Sequence, residues 1–348
     1  MPAGAIIDEP PKAAAPAREP RPRGRALGLA KRLLTLREGS VIVITVLVAA
    51  YFAATTDAFM TWENFKTLLP YFAPFAILAA GEVFLMINGE IDLSIGAVYL
   101  FAPFMFHEFY IAGVPLTLAF VLALGMCVLV GLANGVLTTV LRINSFITTL
   151  GMLLALTGLT LIVSDAQPVA TPGTDVLEGA TTFAKIFGGS TYSELIWALA
   201  IVVALQLVLS FTRWGIYTVA VGSNRVGAAE AGIRTRLVIT RNFVLCSLCA
   251  GLVGVLEAVR TTSVQPDPSG ANEVLFGGIA AAVIGGTLLA GGSGTVVGAL
   301  LGALLLGVLN DGLIITGVNA DYLNFYLGLA IILAMAANTY VGRARTSA

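Results

Sequence analysis

The sequence predicts an all-α polytopic membrane protein of about ten transmembrane helices, with both termini on the cytoplasmic side. Three observations predict it. First, 57% of the 348 residues are hydrophobic and 11% are charged, with a mean hydropathy of +0.92, where soluble domains carry about 25% charged residues. Second, the uncharged runs are long enough to cross a bilayer and recur along the whole chain. Third, the 38 glycines suit helices that pack closely in lipid.

The spans follow from the runs without acidic or basic residues. They are 39–56, 67–87, 93–112, 109–141 with a tilted or extended start near Pro115, 143–164, 195–212 and 242–259. The run 274–310 is uncharged and too long for a single crossing of about 20 residues, so Gly285-Gly286 and Gly291-Gly292 are expected to divide it in two. Residues 322–342 make the tenth. Residues 1–38 form a Pro/Ala/Arg-rich tail, expected to be disordered, cytoplasmic and not a cleavable signal. The membrane domain is 39–342, with a cytoplasmic loop at 213–241, an extracytoplasmic loop at 165–194 and a cytoplasmic tail at 343–348. This arrangement puts sixteen of the nineteen Lys and Arg inside, leaving Lys66, Lys185 and Arg260 outside.

Within the spans, Gly294, Gly298 and Gly302 recur every fourth residue, as do Gly131 and Gly135, so each set marks one packing face. Cys246 and Cys249 have metal or redox spacing, but with no second pair and no histidine nearby they read as small packing residues.

An enzyme reading finds little support. The single histidine, His107, has no nucleophile at recognisable spacing, no metal site can be built from it and three scattered cysteines, and no phosphate-binding Gly-x-x-x-x-Gly-Lys-[Ser/Thr] loop occurs. No basic stripe interleaved with aromatics points to nucleic acid. The clues are polar residues at membrane depth: Glu82, Asn88, Glu90, Asp92, Asn134, Asn144, Gln206, Glu257, Asn310, Asp311 and Asn324. Taken singly, each suits an interhelical hydrogen bond or an interfacial position; together they imply a polar interior and a path for a polar solute. No Lys or Arg partner is expected for the acids within the spans, which argues against a proton relay.

Two stretches stand out. In Asn88-Gly89-Glu90-Ile91-Asp92-Leu93-Ser94-Ile95-Gly96-Ala97, two carboxylates interrupt membrane-grade sequence, where each charge costs at least ~2.5–3.5 kcal/mol. Two readings fit: a short loop with Asp92 as N-cap of the next helix, or a broken helix lining a solute path. In the loop between the sixth and seventh spans, Gly222, Asn224, Val226, Gly227, Ala228, Ala229 and Glu230 precede Gly232 and Ile233. Residues 226–231 favour a short helix that Gly232 stops, which would suit docking of a soluble partner or serve as a plain connection.

At these residues the chain resembles the permease subunits of bacterial ABC importers for monosaccharides of the ribose/xylose/galactose type, in the branched-chain amino acid permease superfamily. The Gly-Gly-Ile-Asp-Leu-Ser-[Val/Ile]-Gly hallmark reads Gly89-Glu90-Ile91-Asp92-Leu93-Ser94-Ile95-Gly96, with Glu90 replacing the commoner glycine. Asn144 to Met152 resembles the Pro-Phe-Ile-x-Thr-Leu-Gly-Met stretch, with Ser145 for proline, and Gln167-Pro168-Val169 resembles the Gln-Pro-[Ile/Val] after the fifth span. The Gly222–Ile233 loop, 282–287, 291–298 and 307–313 follow in order.

The resemblance implies a two-copy permease core, homo- or heterodimeric, in the bacterial inner membrane and in contact with lipid. A cytoplasmic ABC ATPase would bind the ATP and seat the 222–233 loop, and an extracytoplasmic sugar-binding protein would deliver the solute. The permease itself would hold no cofactor and no metal and have no catalytic residues. Asn88, Glu90, Asp92, Ser94, Asn134 and Asn310 are the candidates for the translocation path. The competing readings are an importer permease for branched-chain amino acids or nucleosides, and a self-sufficient secondary transporter. The sugar is left open.

Overall fold

The computed structural model describes residues 38–172, 178–190, 192–319, 322–329, 331–333 and 336. The basic tail, the C-terminal tail and the end of the last expected span lie outside the described residues. Among the described residues the helices run in order: α1 (Gly39–Thr55), α2 (Trp62–Ile87), α3 (Ile95–Ile111), α4 (Leu116–Thr139), α5 (Ser145–Val163), α6 (Glu178–Ile186), α7 (Ser193–Phe211), α8 (Arg213–Ser223), α9 (Arg225–Glu230), α10 (Thr235–Thr261), α11 (Pro268–Ile284) and α12 (Val296–Ile315). A further apolar helix, Tyr322–Leu333, follows. Six of these (α2, α4, α5, α7, α10 and α12) are long and apolar enough to cross a membrane, and α1, α3, α11 and Tyr322–Leu333 are shorter apolar helices. The chain is an all-α polytopic membrane protein.

Helix α2 forms the centre of the bundle. Over its apolar stretch 78% of residues are buried, against 22% in α5, so α2 packs on neighbours all round while α5 turns most of its Leu and Ile outward. Pro70 and Pro74 sit inside α2 without ending it; the amide bonds they remove are tolerated in a helix enclosed by others. Helix α10 is the second central element, packed on α2, α3 and α4.

The glycine stripes explain the close approaches. A Cβ on Gly131 or Gly135 would meet the α10 backbone at Val244 or Thr240, 2.6–2.7 Å away, and one on Gly298 or Gly302 would collide with the carbonyls of Gly285 and Ala281 in the α11 arm. Cys246 and Cys249 pack against Gly81, and the free cysteines 127, 246 and 249 are all buried.

Several boundaries differ from the hydropathy runs. Helix α10 begins at Thr235, so Arg236 and Arg241 lie in its first two turns rather than in a loop. The expected 213–241 loop is helical over most of its length, as α8, α9 and the start of α10. Charged side chains hide these turns from a count of uncharged residues: Arg213, Arg225, Arg234 and Arg236 are exposed, and Arg241 is half-buried against Trp214. The segment after α5 likewise contains α6 and a two-residue strand β1 (Val169–Ala170), antiparallel to β2 (Ser263–Val264), with Val169 opposite Val264.

Candidate functional site: the α2–α3 break and the α9 helix

Helix α2 stops at Ile87, where Gly89 takes φ +74° and the chain runs without helix through 90–92 before a turn leads into α3. Asp92 is fully buried in this break. Its carboxylate accepts from the Ser94 amide at 2.8 Å, from the Ser94 hydroxyl at 2.5 Å and from the Asn134 amide nitrogen at 3.4 Å, while that nitrogen also donates to Ser94 Oγ at 2.8 Å. Asp92, Ser94 and Asn134 therefore form one buried triad joining the break to α4. Ser94 directly precedes α3 but its side chain caps nothing; the carboxylate that accepts a backbone amide at this start, that of Ser94, belongs to Asp92, two residues earlier.

Glu82, one turn and a half before the end of α2, is also fully buried, with Oε1 accepting from the Cys246 thiol at 3.4 Å and the Asp92 backbone amide close to its carboxylate. Glu82 Oε2 and Asn134 Oδ1 have no partner among the described residues. A buried, underused acceptor is costly.

Asn88 is buried and held by α8, α9 and α10. It donates to the Thr218 carbonyl of α8 at 2.7 Å and accepts from the Asn242 amide of α10 at 2.6 Å, and Asn242 accepts from the Trp214 indole at 2.7 Å. The Arg241 guanidinium lies 4.8 Å from the Trp214 ring centre. Glu90 pairs with Arg225, the first residue of α9, at 2.7 Å, and Arg225 also donates to the Asn88 carbonyl at 3.2 Å.

Helix α9 has the local signals read from the sequence. The Asn224 side chain caps it by accepting from the Gly227 amide at 2.9 Å, and Gly232 ends it at φ +82°, with the Ile233 amide returning to the Ala228 carbonyl at 3.0 Å. Ala228 is buried, while Val226 is 69% exposed and Ala229 and Glu230 point outward. The helix is anchored from behind by Gly222. A Cβ there would strike the Ile87 carbonyl, and that carbonyl already accepts from the Gly292 amide at 2.7 Å. Three separate motifs, around Gly89, Gly222 and Gly291-Gly292, thus meet backbone to backbone at one end of the bundle.

Asn310 stands apart from this group. It lines a cavity of about 480 Å³ with Phe75, Asn272, Glu273, Phe276 and Asn324. A second cavity of about 540 Å³ shares Phe75 and Glu273 with it and is lined by Tyr99, Glu257 and Arg260 among others. Contrary to the expectation that acids in the spans lack basic partners, Arg260 at the end of α10 pairs with Glu257 and lies 3.4 Å from Glu194 of α7. The three-residue spacing of Glu257 and Arg260 could have shown the first contact; nothing local marks Glu194. Gln206 serves α12, accepting from the Val296 and Val297 amides. His107 meets the Ala170 carbonyl at 2.9 Å. Among the described residues no three metal-ligating side chains come together.

The sequence that carries these motifs matches a known group. The profile of the branched-chain amino acid transport system / permease component family matches residues 64–335. The chain belongs to this family. It is 36% identical to the xylose/arabinose import permease protein of Sulfolobus acidocaldarius over 314 residues, covering 88% of this chain and 86% of that one. It is 32% identical to the ribose import permease protein of Escherichia coli K12 over 307 residues, with 86% and 92% covered. It is 28% identical to the D-allose transport system permease protein of the same organism over 310 residues, with 88% and 92% covered. No solved structure matches the chain.

Proposed function

We propose that this chain is the permease subunit of an ATP-driven importer of a monosaccharide, spanning the plasma membrane about ten times with both termini inside. The observation that carries the reading is the likeness to three sugar import permeases along nearly the whole chain. In this reading two permease copies form the path, a separate cytoplasmic ATPase binds and hydrolyses ATP, and an extracytoplasmic binding protein delivers the sugar. The geometry supports a division of labour. Helix α9, with Val226, Ala229 and Glu230 outward, is the coupling helix that seats on the ATPase. Its Arg225 bears on Glu90 and the Asn88 carbonyl, so movement of α9 reaches the α2–α3 break directly. The Asp92–Ser94–Asn134 triad then carries that movement to α3 and α4, and the break is positioned beside the path without supplying chemistry of its own.

The test is reconstitution of this chain with its ATPase and binding protein in proteoliposomes, with ATP on the α9 side. ATP-dependent uptake of labelled xylose, ribose or allose is expected. Uptake of leucine in place of any sugar would transfer the chain to the amino acid branch. Uptake driven by an ion gradient without the ATPase would make it a secondary transporter.

A further inference from the structure

We propose that the cavity between α2, α11, α12 and helix Tyr322–Leu333 is the site at which the solute is held during transit, and that its lining suits a neutral polyhydroxylated ring. This rests on the sugar-importer reading above and assigns that solute a place in the chain.

The argument begins with α11. Ser269, Asn272, Glu273 and Phe276 fall at i, i+3, i+4 and i+7, on one face. The opposite face, with Ala271, Leu275 and Gly278, is packed into the bundle. The unpacked face thus carries a hydroxyl, a carboxamide and a carboxylate on an otherwise apolar helix, with Glu273 exposed and Phe276 62% exposed. Such a face turned to lipid would cost at least ~2.5 kcal/mol for the carboxylate alone, whereas a water-filled path has no such cost.

Asn310 of α12 and Asn324 of the last helix complete the wall. Three carboxamides present both donors and acceptors, as sugar hydroxyls do, and the Glu273 carboxylate accepts from two hydroxyls at once. Phe75 and Phe276 supply flat apolar surfaces of the kind against which the C–H face of a sugar ring packs. The Phe75 ring lies over Gly277, whose missing side chain leaves room for it against α11. A volume of about 480 Å³ lies within the ~300–1,000 Å³ of small-molecule sites.

The lining also discriminates between solutes. An amino acid zwitterion needs a cation or free helix amides for its carboxylate. No Lys or Arg lines this cavity among the described residues, and the α11 N-terminus is already occupied by Asp267, which accepts from the Ser269 and Gly270 amides at 2.9 and 3.2 Å. Glu273 and Phe75 also line the neighbouring 540 Å³ cavity, whose Arg260 is already engaged by Glu257 and Glu194.

The experiment uses the assembled importer. Because native cysteines 127, 246 and 249 are buried, a thiol introduced by Asn272→Cys is the reactive one. A charged, membrane-impermeant maleimide is expected to label Asn272→Cys, to leave the outward-facing Leu154→Cys unlabelled, and to label at least threefold more slowly with saturating transported sugar and binding protein. Asn324→Leu and Asn310→Leu are expected to lower sugar uptake at saturating sugar at least fivefold at normal recovery of the complex; if either reduces recovery, the smaller change Asn324→Ser is read instead, with a twofold or greater loss expected. An unlabelled Asn272→Cys, labelling indifferent to sugar, or normal uptake by the recovered variants would overturn the site. Wild-type importer that carries leucine and no sugar would overturn the sugar reading itself, and with it the ligand named here; wild-type sugar uptake with indifferent variants would overturn the site alone.

Discussion

The Arg225 guanidinium lies 2.7 Å from the Glu90 carboxylate, joining the first residue of α9 to the break between α2 and α3 across 135 positions of sequence. Glu90 is buried, so the chain carries a charge–charge contact between the exposed helix α9 and its core.

The Arg225 side chain is half exposed but Glu90 is buried, so loss of Arg225 leaves a buried carboxylate without its partner, whereas loss of the Glu90 charge leaves an arginine that water can reach. Glu90→Gln should therefore leave thermal stability in detergent almost unchanged and Arg225→Ala should cost about 1–3 kcal/mol, while each lowers the sugar moved per ATP hydrolysed about threefold. The charge exchange Glu90→Arg with Arg225→Glu should recover part of that loss. Additive losses in the double variant would show that the contact transmits nothing.

Asp92→Asn should be more damaging to the fold. The carboxylate accepts from both the amide and hydroxyl of Ser94 and faces the Asn134 amide; replacing one oxygen by NH₂ points a donor at a donor in a fully buried site. A loss of about 1–3 kcal/mol is expected, read as a lower midpoint of unfolding and at least a tenfold fall in uptake. Ser94→Ala, which removes one donor and one acceptor, should fall between this variant and the wild type. Equal stability of Asp92→Asn and wild type would remove the triad from the list of structural ties.

Gly222→Ala and Gly151→Ala make a paired test of the glycine junction. A Cβ at 222 meets the Ile87 carbonyl and the Gly292 amide, both backbone atoms that cannot swing aside; one at 151 meets nothing within 4 Å. Overpacking against backbone costs about 1–3 kcal/mol or more, whereas Gly to Ala in an open helix position gains up to about 1 kcal/mol. The first variant should lose assembly with the ATPase and the second should be neutral or more stable, measured by recovery of the complex and by thermal unfolding.

These relationships divide by how local their signals are. The bilayer-length apolar runs, the division of 274–310 at its paired glycines, the every-fourth-residue glycine faces and the Asn224-to-Gly232 helix are each encoded within a few turns, and the sequence shows them. The Glu90–Arg225 contact, the Asn88–Asn242–Trp214 chain and the Glu194–Arg260 pair join residues dozens to more than a hundred positions apart. Hydropathy measures what one segment loses or gains in lipid and carries no term for its partners. Asp92 illustrates the boundary: its burial cost was visible, but whether it capped α3 depended on a two-residue turn that propensity does not resolve.

Helix α9 offers the sharpest separation of surface from scaffold. Val226 is 69% exposed and Ala228 is 6% exposed, two residues apart on a six-residue helix. A carboxylate at Val226→Asp stays in water and should leave the fold intact, yet it places charge in the surface expected to enter the ATPase. Co-purification of the ATPase should drop at least tenfold, with unchanged yield of the permease in membranes. Ala228→Asp instead buries an unpaired charge, at several kcal/mol, and should deplete the permease itself. If Val226→Asp binds the ATPase normally and supports full uptake, α9 is a connection between α8 and α10 and the coupling surface lies elsewhere on the chain.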